Sequence, residues 1–314
     1  MKIFRHYRDV SDAYKGAVVA VGNFDGVHRG HQALIAEARR MAEERGASLG
    51  VLAFEPHPQE FFRPSPESFR LTPFRAKARL IAELGADVMY ALDFNAEMAA
   101  MSAQDFVTDV LVGALGIGAI VVGRDFQFGK GRAGNTAMLA YMGEEEGFGV
   151  TLFDPVIAHG DDKISSTEIR DALKAGKPDV AARLLGHYWS VEARVEHGDK
   201  RGRTIGYPTA NMKLTDVLKP AFGVYAVRAH IFEEDVVAAT YGGVANFGIR
   251  PMFETPVPLL ETFLFDFAGD LYNKHMQVEL IAYLRPEAKF DSMDALIAQM
   301  NGDSEQARTI LRQL

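Results

Sequence analysis

Short apolar runs alternate with helical periodicities through the first half of the chain, and after about Gly186 the alternation stops. The runs are Val18–Val21, Leu49–Phe54, Val88–Leu92, Ile117–Val122 and Val150–Phe153. Between them Leu34, Ala38 and Met41 recur at helical spacing, and the segment Pro73 to Leu84 sets Ala76, Leu80 and Leu84 on one face. Strands alternating with helices build a parallel sheet covered on both sides. From Tyr188 onward the runs are β-rich: Trp189–Val195, Gly223–His230, Val236–Val244, Leu260–Phe267 and Met276–Leu284. Close spacing and short turns there predict a small antiparallel barrel. Two helices, Ser292–Met300 and Ser304–Leu314, are expected at the end. The fold class is α/β plus β.

A chain of 314 residues exceeds what one core usually serves, so two domains are expected, 1–185 and 186–314. The linker falls between Ala175-Gly176-Lys177-Pro178 and Gly186, with a short helix in it. The absence of cysteine excludes disulfides, thiolate metal sites and cysteine nucleophiles. A formal net charge of −8 argues against a general nucleic-acid surface but leaves room for a local anion pocket. The first eight residues are charged and carry no apolar leader, and the longest uncharged stretch, Val110 to Gly123, is too short and Gly-rich to span a bilayer. No membrane association and a cytoplasmic location are the expectation.

Chemistry gathers where the first run ends. After Ala17-Val18-Val19-Ala20-Val21 comes Gly22-Asn23-Phe24-Asp25-Gly26-Val27-His28-Arg29-Gly30-His31, and a helix is expected from Gln32 to about Arg45. Glycines let backbone approach a ligand, helix N-terminal amides point at it, and the helix dipole favours negative charge. Two imidazoles there can donate to phosphate oxygens. The alternative is a solvated loop with two surface histidines. Other unusual segments also follow strands: Glu55-Pro56-His57-Pro58, Gly123 to Arg132, and Lys163 to Arg170, which opens a helix. Ligands of open α/β sheets bind outside the carboxyl ends of the strands. Ser166, Thr167 and Arg170 suit an anion, although Ser166 taken alone reads more readily as a plain helix cap.

Together these motifs resemble the bacterial bifunctional riboflavin kinase/FMN adenylyltransferases, also called prokaryotic FAD synthetases. In the second half the likeness rests on Arg201-Gly202-Arg203-Thr204-Ile205-Gly206-Tyr207-Pro208-Thr209-Ala210-Asn211, Gly223-Val224-Tyr225, Asn246-Phe247-Gly248, Leu260-Glu261-Thr262 and Asp266 to Tyr272. The resemblance implies a Rossmann-like nucleotidyltransferase domain that joins FMN and ATP into FAD and pyrophosphate. It also implies a riboflavin kinase barrel that makes FMN from riboflavin and ATP. Riboflavin, FMN, ATP and FAD are then substrates and products rather than redox cofactors, with Mg²⁺ accompanying ATP.

Carried over residue by residue, the resemblance gives His28 and His31 the ATP phosphates. Gly22, Asn23, Phe24, Asp25 and Gly30 line the nucleotide. Ser166, Thr167 and Arg170 go to the leaving phosphates. Phe54, His57, Asp125 and Phe128 are candidates for the flavin side, core packing being the alternative for the aromatics. In the barrel Glu261 matches the catalytic glutamate, the alternative being a solvent-facing strand residue. Thr209 and Asn211 are assigned to Mg²⁺ and nucleotide phosphates, and Gly198–Gly206 to a phosphate flap or a solvated hairpin. Two departures fall in this half: Met252 where threonine is common, and Asn273 where glycine is usual. A monofunctional adenylyltransferase with a degenerate kinase barrel is the enzyme alternative. A flavin- or nucleotide-binding regulator is the non-enzyme one, and it gives Glu261 beside Thr209 and Asn211 no purpose.

Overall fold

The computed structural model describes residues 1–154, 164–197, 206–234, 236–249 and 258–314. Packing divides the chain into two compact units, Met1–Pro66 with Thr72–Ser165, and Glu67–Leu71 with Ser166–Leu314.

The first unit is built on a six-stranded sheet. Its strands are β1 (Lys2–Phe4), β2 (Val18–Val21), β3 (Leu49–Glu55), β4 (Val88–Asp93), β5 (Ala119–Gly123) and β8 (Gly149–Phe153). They lie in the order β1-β4-β3-β2-β5-β8 with every pairing parallel. Two short strands, β6 (Gln127–Phe128) and β7 (Gly134–Asn135), form a hairpin after β5. Every residue of β2 is buried because both faces of the sheet are covered. Val19, Val21, Leu52, Tyr90 and Ile120 enter one apolar cluster, while Val18, Ala20, Val51, Met89 and Val121 enter the other. The order runs outward from β2 through β3 to β4, then returns to β5 on the other side of β2. Loops after β2 and β5 therefore part at the carboxyl edge, where such sheets bind ligands.

Helix α1 (Arg29–Arg45) starts three residues before the expected Gln32, because His28 caps it. It buries Leu34, Ile35, Ala38, Met41 and Ala42 and ends on left-handed Gly46 (φ 62°). Its outer face carries ion pairs from Arg39 to Glu43 and from Arg40 to Glu37 and Glu44. Helices α2 (Pro58–Phe62) and α3 (Phe74–Glu83) follow β3. The face α3 buries is Ala76, Lys77, Ala78 and Ile81, with Leu80 and Leu84 only half-buried, so the stripe expected through Leu80 and Leu84 is rotated. After α4 (Ala96–Ala100) and α5 (Ala103–Asp105), the apolar segment Phe106–Ala114 is π-helical. Helix α6 (Thr136–Glu146) precedes β8.

The second unit opens with α7 (Ser166–Lys174) and α8 (Pro178–Leu185). Their Ile169, Leu173, Ala181 and Leu185 share one core with the barrel, so packing sorts both helices with the barrel, whereas the sequence reading drew its boundary after 185. The strands are β9 (Ser190–Arg194), β10 (Ala210–Lys213), β11 (Gly223–Glu233), β12 (Val236–Ile249), β13 (Pro258–Leu264) and β14 (His275–Arg285). They run antiparallel in the order β10-β13-β12-β11-β14-β9. The amide of Glu196 donates to the Asn211 carbonyl at 2.9 Å, which nearly closes the sheet into a barrel. Asn273, where the family resemblance sets glycine, holds φ +63°, a conformation asparagine tolerates better than most residues. Met252 and most of the Gly198–Gly206 segment lie outside the described residues.

The two terminal helices expected from the sequence are one continuous helix, α9 (Met293–Leu311). Asn301-Gly302-Asp303 reads as a break, but Asp303 is buried and takes three nitrogen contacts from Arg285 at 2.8 to 3.1 Å and one from Gln299 at 2.8 Å. Tertiary hydrogen bonding outweighs the low helix propensity of glycine. Ala307 seats the helix on Ala226 and Phe265. Among the described residues no helix is long and apolar enough to cross a membrane.

Asp303→Ala strands the Arg285 guanidinium and should cost about 3 kcal/mol, the low end for breaking a buried ion pair. Trp189, the one tryptophan, is buried in the second unit's core. Its fluorescence during urea unfolding reads that loss in the full chain.

Candidate active sites

The loop from β2 into α1 has an unusual backbone. Phe24 (φ 51°), Gly26 (φ 85°) and Val27 (φ 43°) all lie in the left-handed region, rare for a β-branched residue. The loop is held from both ends. Asp25 is buried and its Oδ1 accepts from the Thr72 amide at 3.1 Å, while the Gly26 amide donates to Thr72 Oγ1 at 3.0 Å. Gln32 Nε2 donates to the Val27 carbonyl at 2.8 Å.

This loop places two imidazoles at the helix start. His28 Nδ1 accepts from the His31 amide at 3.3 Å, so neutral His28 carries its proton on Nε2. The rings stack with centroids 3.6 Å apart and 15° between planes, and Phe24 packs on His31 at 5.1 Å. Gly30 is needed here, since a Cβ would come within 3.1 Å of the His28 ring. Burial, followed by the charges of His28 and Lys77, holds the His31 pKa well below the usual imidazole value. His31 Nδ1 is buried and has no hydrogen-bond partner among the described residues. Such a group awaits a ligand or costs stability.

Around this corner the other expected residues separate. Gly22 is half-buried and Asn23 exposed. Phe54 and Phe128 meet through Phe106, with ring centroids at 6.2 and 5.8 Å, and Phe94 and Phe126 extend the cluster at 5.4 Å each. His57 is buried and caps α2, its Nδ1 accepting from the Gln59 amide at 3.1 Å. Asp125 is exposed on the loop after β5. Ser166 and Thr167 open α7, and Arg170 donates to the Phe69 carbonyl at 2.8 Å within the second unit. Sequence reasoning missed Thr72, which pins the loop, and the buried Lys77–Glu55 pair, whose only sequence signal is a lysine on the buried face of α3.

In the barrel, Glu261 of β13 stands in register with Asn211 of β10 on one side and Asn246 of β12 on the other. Directly opposed residues share a sheet face, so the three form one row. Asn211 is buried, its Oδ1 without a partner among the described residues. Asn246 Nδ2 donates to Glu287 Oε1 at 3.3 Å. Nearby, a cleft of about 370 Å³ is lined by Thr209, Thr262, Phe267, Asp270 and Tyr272 among others, and the buried Thr262 Oγ1 is also unpartnered. No group of three or more acidic or histidine ligands able to hold a metal occurs among the described residues.

Comparison with known proteins agrees with this two-part geometry. The FAD synthetase family model matches residues 10–168 and the riboflavin kinase model residues 185–311. Proteins named bifunctional riboflavin kinase/FMN adenylyltransferase match over nearly the whole chain. That of Escherichia coli K12 is 41% identical, covering 98% of this chain and 97% of its own, and that of Pseudomonas fluorescens is 40% identical, covering 99% and 98%. The Listeria monocytogenes protein is 37% identical with coverage of 99% and 98%. A crystal structure from Streptococcus pneumoniae, named a macrolide-efflux protein, superposes with a TM-score of 0.85 at 31% identity, covering 98% of each chain. With both domains present and relatives that are bifunctional, the monofunctional alternative is not favoured. The chain belongs to the bifunctional riboflavin kinase/FMN adenylyltransferase family, and its activities are riboflavin phosphorylation and FMN adenylylation.

Proposed function

We propose that FMN adenylylation runs at the β2–α1 corner and riboflavin phosphorylation on the Glu261 row. The observation that carries the first half is the stacked imidazole pair at the N-terminus of a 17-residue helix, with a buried, unpartnered nitrogen on His31. Helix dipole and amides draw an anion there.

In the first reaction an oxygen of the FMN phosphate bonds to the α-phosphorus of ATP. The bond from that phosphorus to the bridging oxygen breaks, and pyrophosphate leaves with the electron pair. The nucleophile is already an anion near neutral pH, so no strong base is required. The work is alignment and stabilisation of charge on the phosphoryl oxygens. His28 and His31 donate to those oxygens. Gly22, Asn23, Phe24 and Gly30 line the nucleotide, and Asp25 keeps the loop in shape through Thr72. Phe54 and Phe128, in their aromatic cluster, take the flavin ring, with His57 and Asp125 near its polar end. Ser166, Thr167 and Arg170 keep the nucleotide-phosphate role that family resemblance gives them.

In the second reaction the riboflavin 5′-hydroxyl attacks the γ-phosphorus of ATP and ADP leaves. A neutral alcohol gains from a base, and the proton goes to the Glu261 carboxylate. The oxygens of Thr209 and Asn211 suit a hard cation, and the buried, unpartnered Asn211 Oδ1 fits a ligand of that kind. Mg²⁺ accompanying ATP would neutralise charge on the phosphates, and Thr209 and Asn211 would hold it. A cytoplasmic setting, where ATP is made available, completes the reading.

His31→Ala should abolish FAD formation from FMN and leave FMN formation from riboflavin nearly intact, as read by chromatography of the flavins. Loss of both steps in a folded protein would refute two separate sites. Glu261→Gln should slow riboflavin phosphorylation about 10²-fold or more while sparing adenylylation.

His31 also predicts a pH dependence of stability. Its folded pKa lies below the unfolded value of 6.5, so the unfolded chain binds the extra proton. The stability that neutral His31 carries is complete above pH 6.5 and is lost as pH falls below it, by at most about 1.4 kcal/mol per pH unit. Calorimetry should show the transition that Trp189 fluorescence does not report moving down on acidification, and less steeply in His31→Asn.

A further inference from the structure

A lysine ammonium is buried in the first unit and only part of its bonding capacity is met. Lys77 lies on the inner face of α3 with its side chain 3% exposed. Its Nζ is 3.4 Å from Glu55 Oε2, a long contact for an ion pair, and Glu55 itself is 12% exposed. An ammonium has three N–H donors, and Glu55 is the one side-chain acceptor that Lys77 Nζ has among the described residues. A buried charge left so incompletely bonded is costly, and a fold gains nothing in stability over an apolar pair by keeping it.

Its position gives it a use. Glu55 is the last residue of β3, at the carboxyl edge where the β2–α1 loop begins, and β2 pairs directly with β3. Helix α3 follows directly on Thr72, whose amide and hydroxyl hold Asp25 and Gly26. Lys77, Thr72 and the histidine loop are therefore tied together through one short stretch of chain.

We propose that Lys77 is a further catalytic residue of adenylyl transfer, contacting the phosphoryl oxygens of ATP beside His31, with Glu55 holding its ammonium in place. The charge of Lys77 already acts on the His31 ring, which puts the two groups within electrostatic reach. As the FMN oxygen bonds to the α-phosphorus and the bond to pyrophosphate breaks, negative charge moves toward the leaving group. His31, held neutral by burial, donates a hydrogen bond to that charge but brings no countercharge. Lys77 supplies it from a site where water is excluded and the interaction is strong. Glu55 fixes the position of the ammonium before the nucleotide arrives, and the 3.4 Å separation leaves its donors available to phosphate.

This inference rests on the β2–α1 corner being the adenylylation site, so His31→Ala is assayed beside the lysine variants. Lys77→Met should lower kcat for FAD formation by about 10²-fold, leave riboflavin phosphorylation unchanged, and be partly rescued in Lys77→Arg. The deciding variant is Glu55→Gln with Lys77→Met, which removes both charges and strands neither. If Lys77 acts on phosphate, the double variant unfolds cooperatively yet stays as slow as Lys77→Met. If the double variant regains most of the wild-type rate, or no longer unfolds cooperatively, the pair is structural and the proposal is overturned. Loss of FAD formation in His31→Ala with full activity in Lys77→Met would sink this inference alone. Full activity in His31→Ala would sink the site itself.

Discussion

Everything in the first unit depends on a loop that the backbone would not choose unaided. Left-handed φ at Phe24 and Val27 costs of order 1–3 kcal/mol each. The surroundings hold that conformation from several sides: both side chains are buried in the core, Asp25 and Gly26 exchange hydrogen bonds with Thr72, and Gln32 secures the Val27 carbonyl. The strained turn sets His28 as the helix cap and brings His31 onto its ring. A relaxed loop would part the imidazoles and leave the helix N-terminus without its cap. Asp25 thus serves a site whose ligand its own carboxylate need not touch.

What the sequence disclosed follows the range of the forces involved. Strands β2, β3, β4 and β5 were legible because each is buried on both faces and so reads as an unbroken apolar run. Strand β1 is three residues long, and β10 carries Asn211 and Lys213, so neither has a local signal. The continuous α9 was not legible, because the bonds that carry it through Gly302 come from Arg285 on another element. In the candidate sites the histidines stood out as a pair in a Gly-rich turn at a helix start, and Glu261 as a charge in an apolar run. Thr72 did not, since it acts on Asp25 from 47 residues away. Lys77 did not stand out either, because the apolar stripe expected on α3, through Ala76, Leu80 and Leu84, does not include it.

The barrel solves a different placement problem with the two-residue period of a strand. Leu260, Thr262 and Leu264 point into the barrel, while Leu259, Glu261 and Phe263 take the other face. A one-residue slip of β13 would send Glu261 into the core and bring Leu260 out. Register is therefore what keeps Glu261 beside Asn211, and pairing on both sides of β13 specifies it. The cost of burying Asn211 and Thr262 with unpartnered oxygens is accepted where a ligand can satisfy them.

The two proposed sites differ as their nucleophiles do. A phosphate monoester arrives at the first already charged, and a carboxylate base there would repel it. An imidazole held neutral by burial, as His31 is, avoids that repulsion and still donates hydrogen bonds. An alcohol arrives at the second with a proton that must go somewhere, and a half-buried glutamate can accept it without first having to be stripped of water. Moving Glu261's chemistry to the β2–α1 corner would add a negative charge beside a triphosphate in a low-dielectric pocket, where like charges repel most strongly. Burial thus suits the imidazoles and would harm the carboxylate, which favours the proposal of one reaction at a closed helix terminus and the other on the face of a strand that carries Glu261.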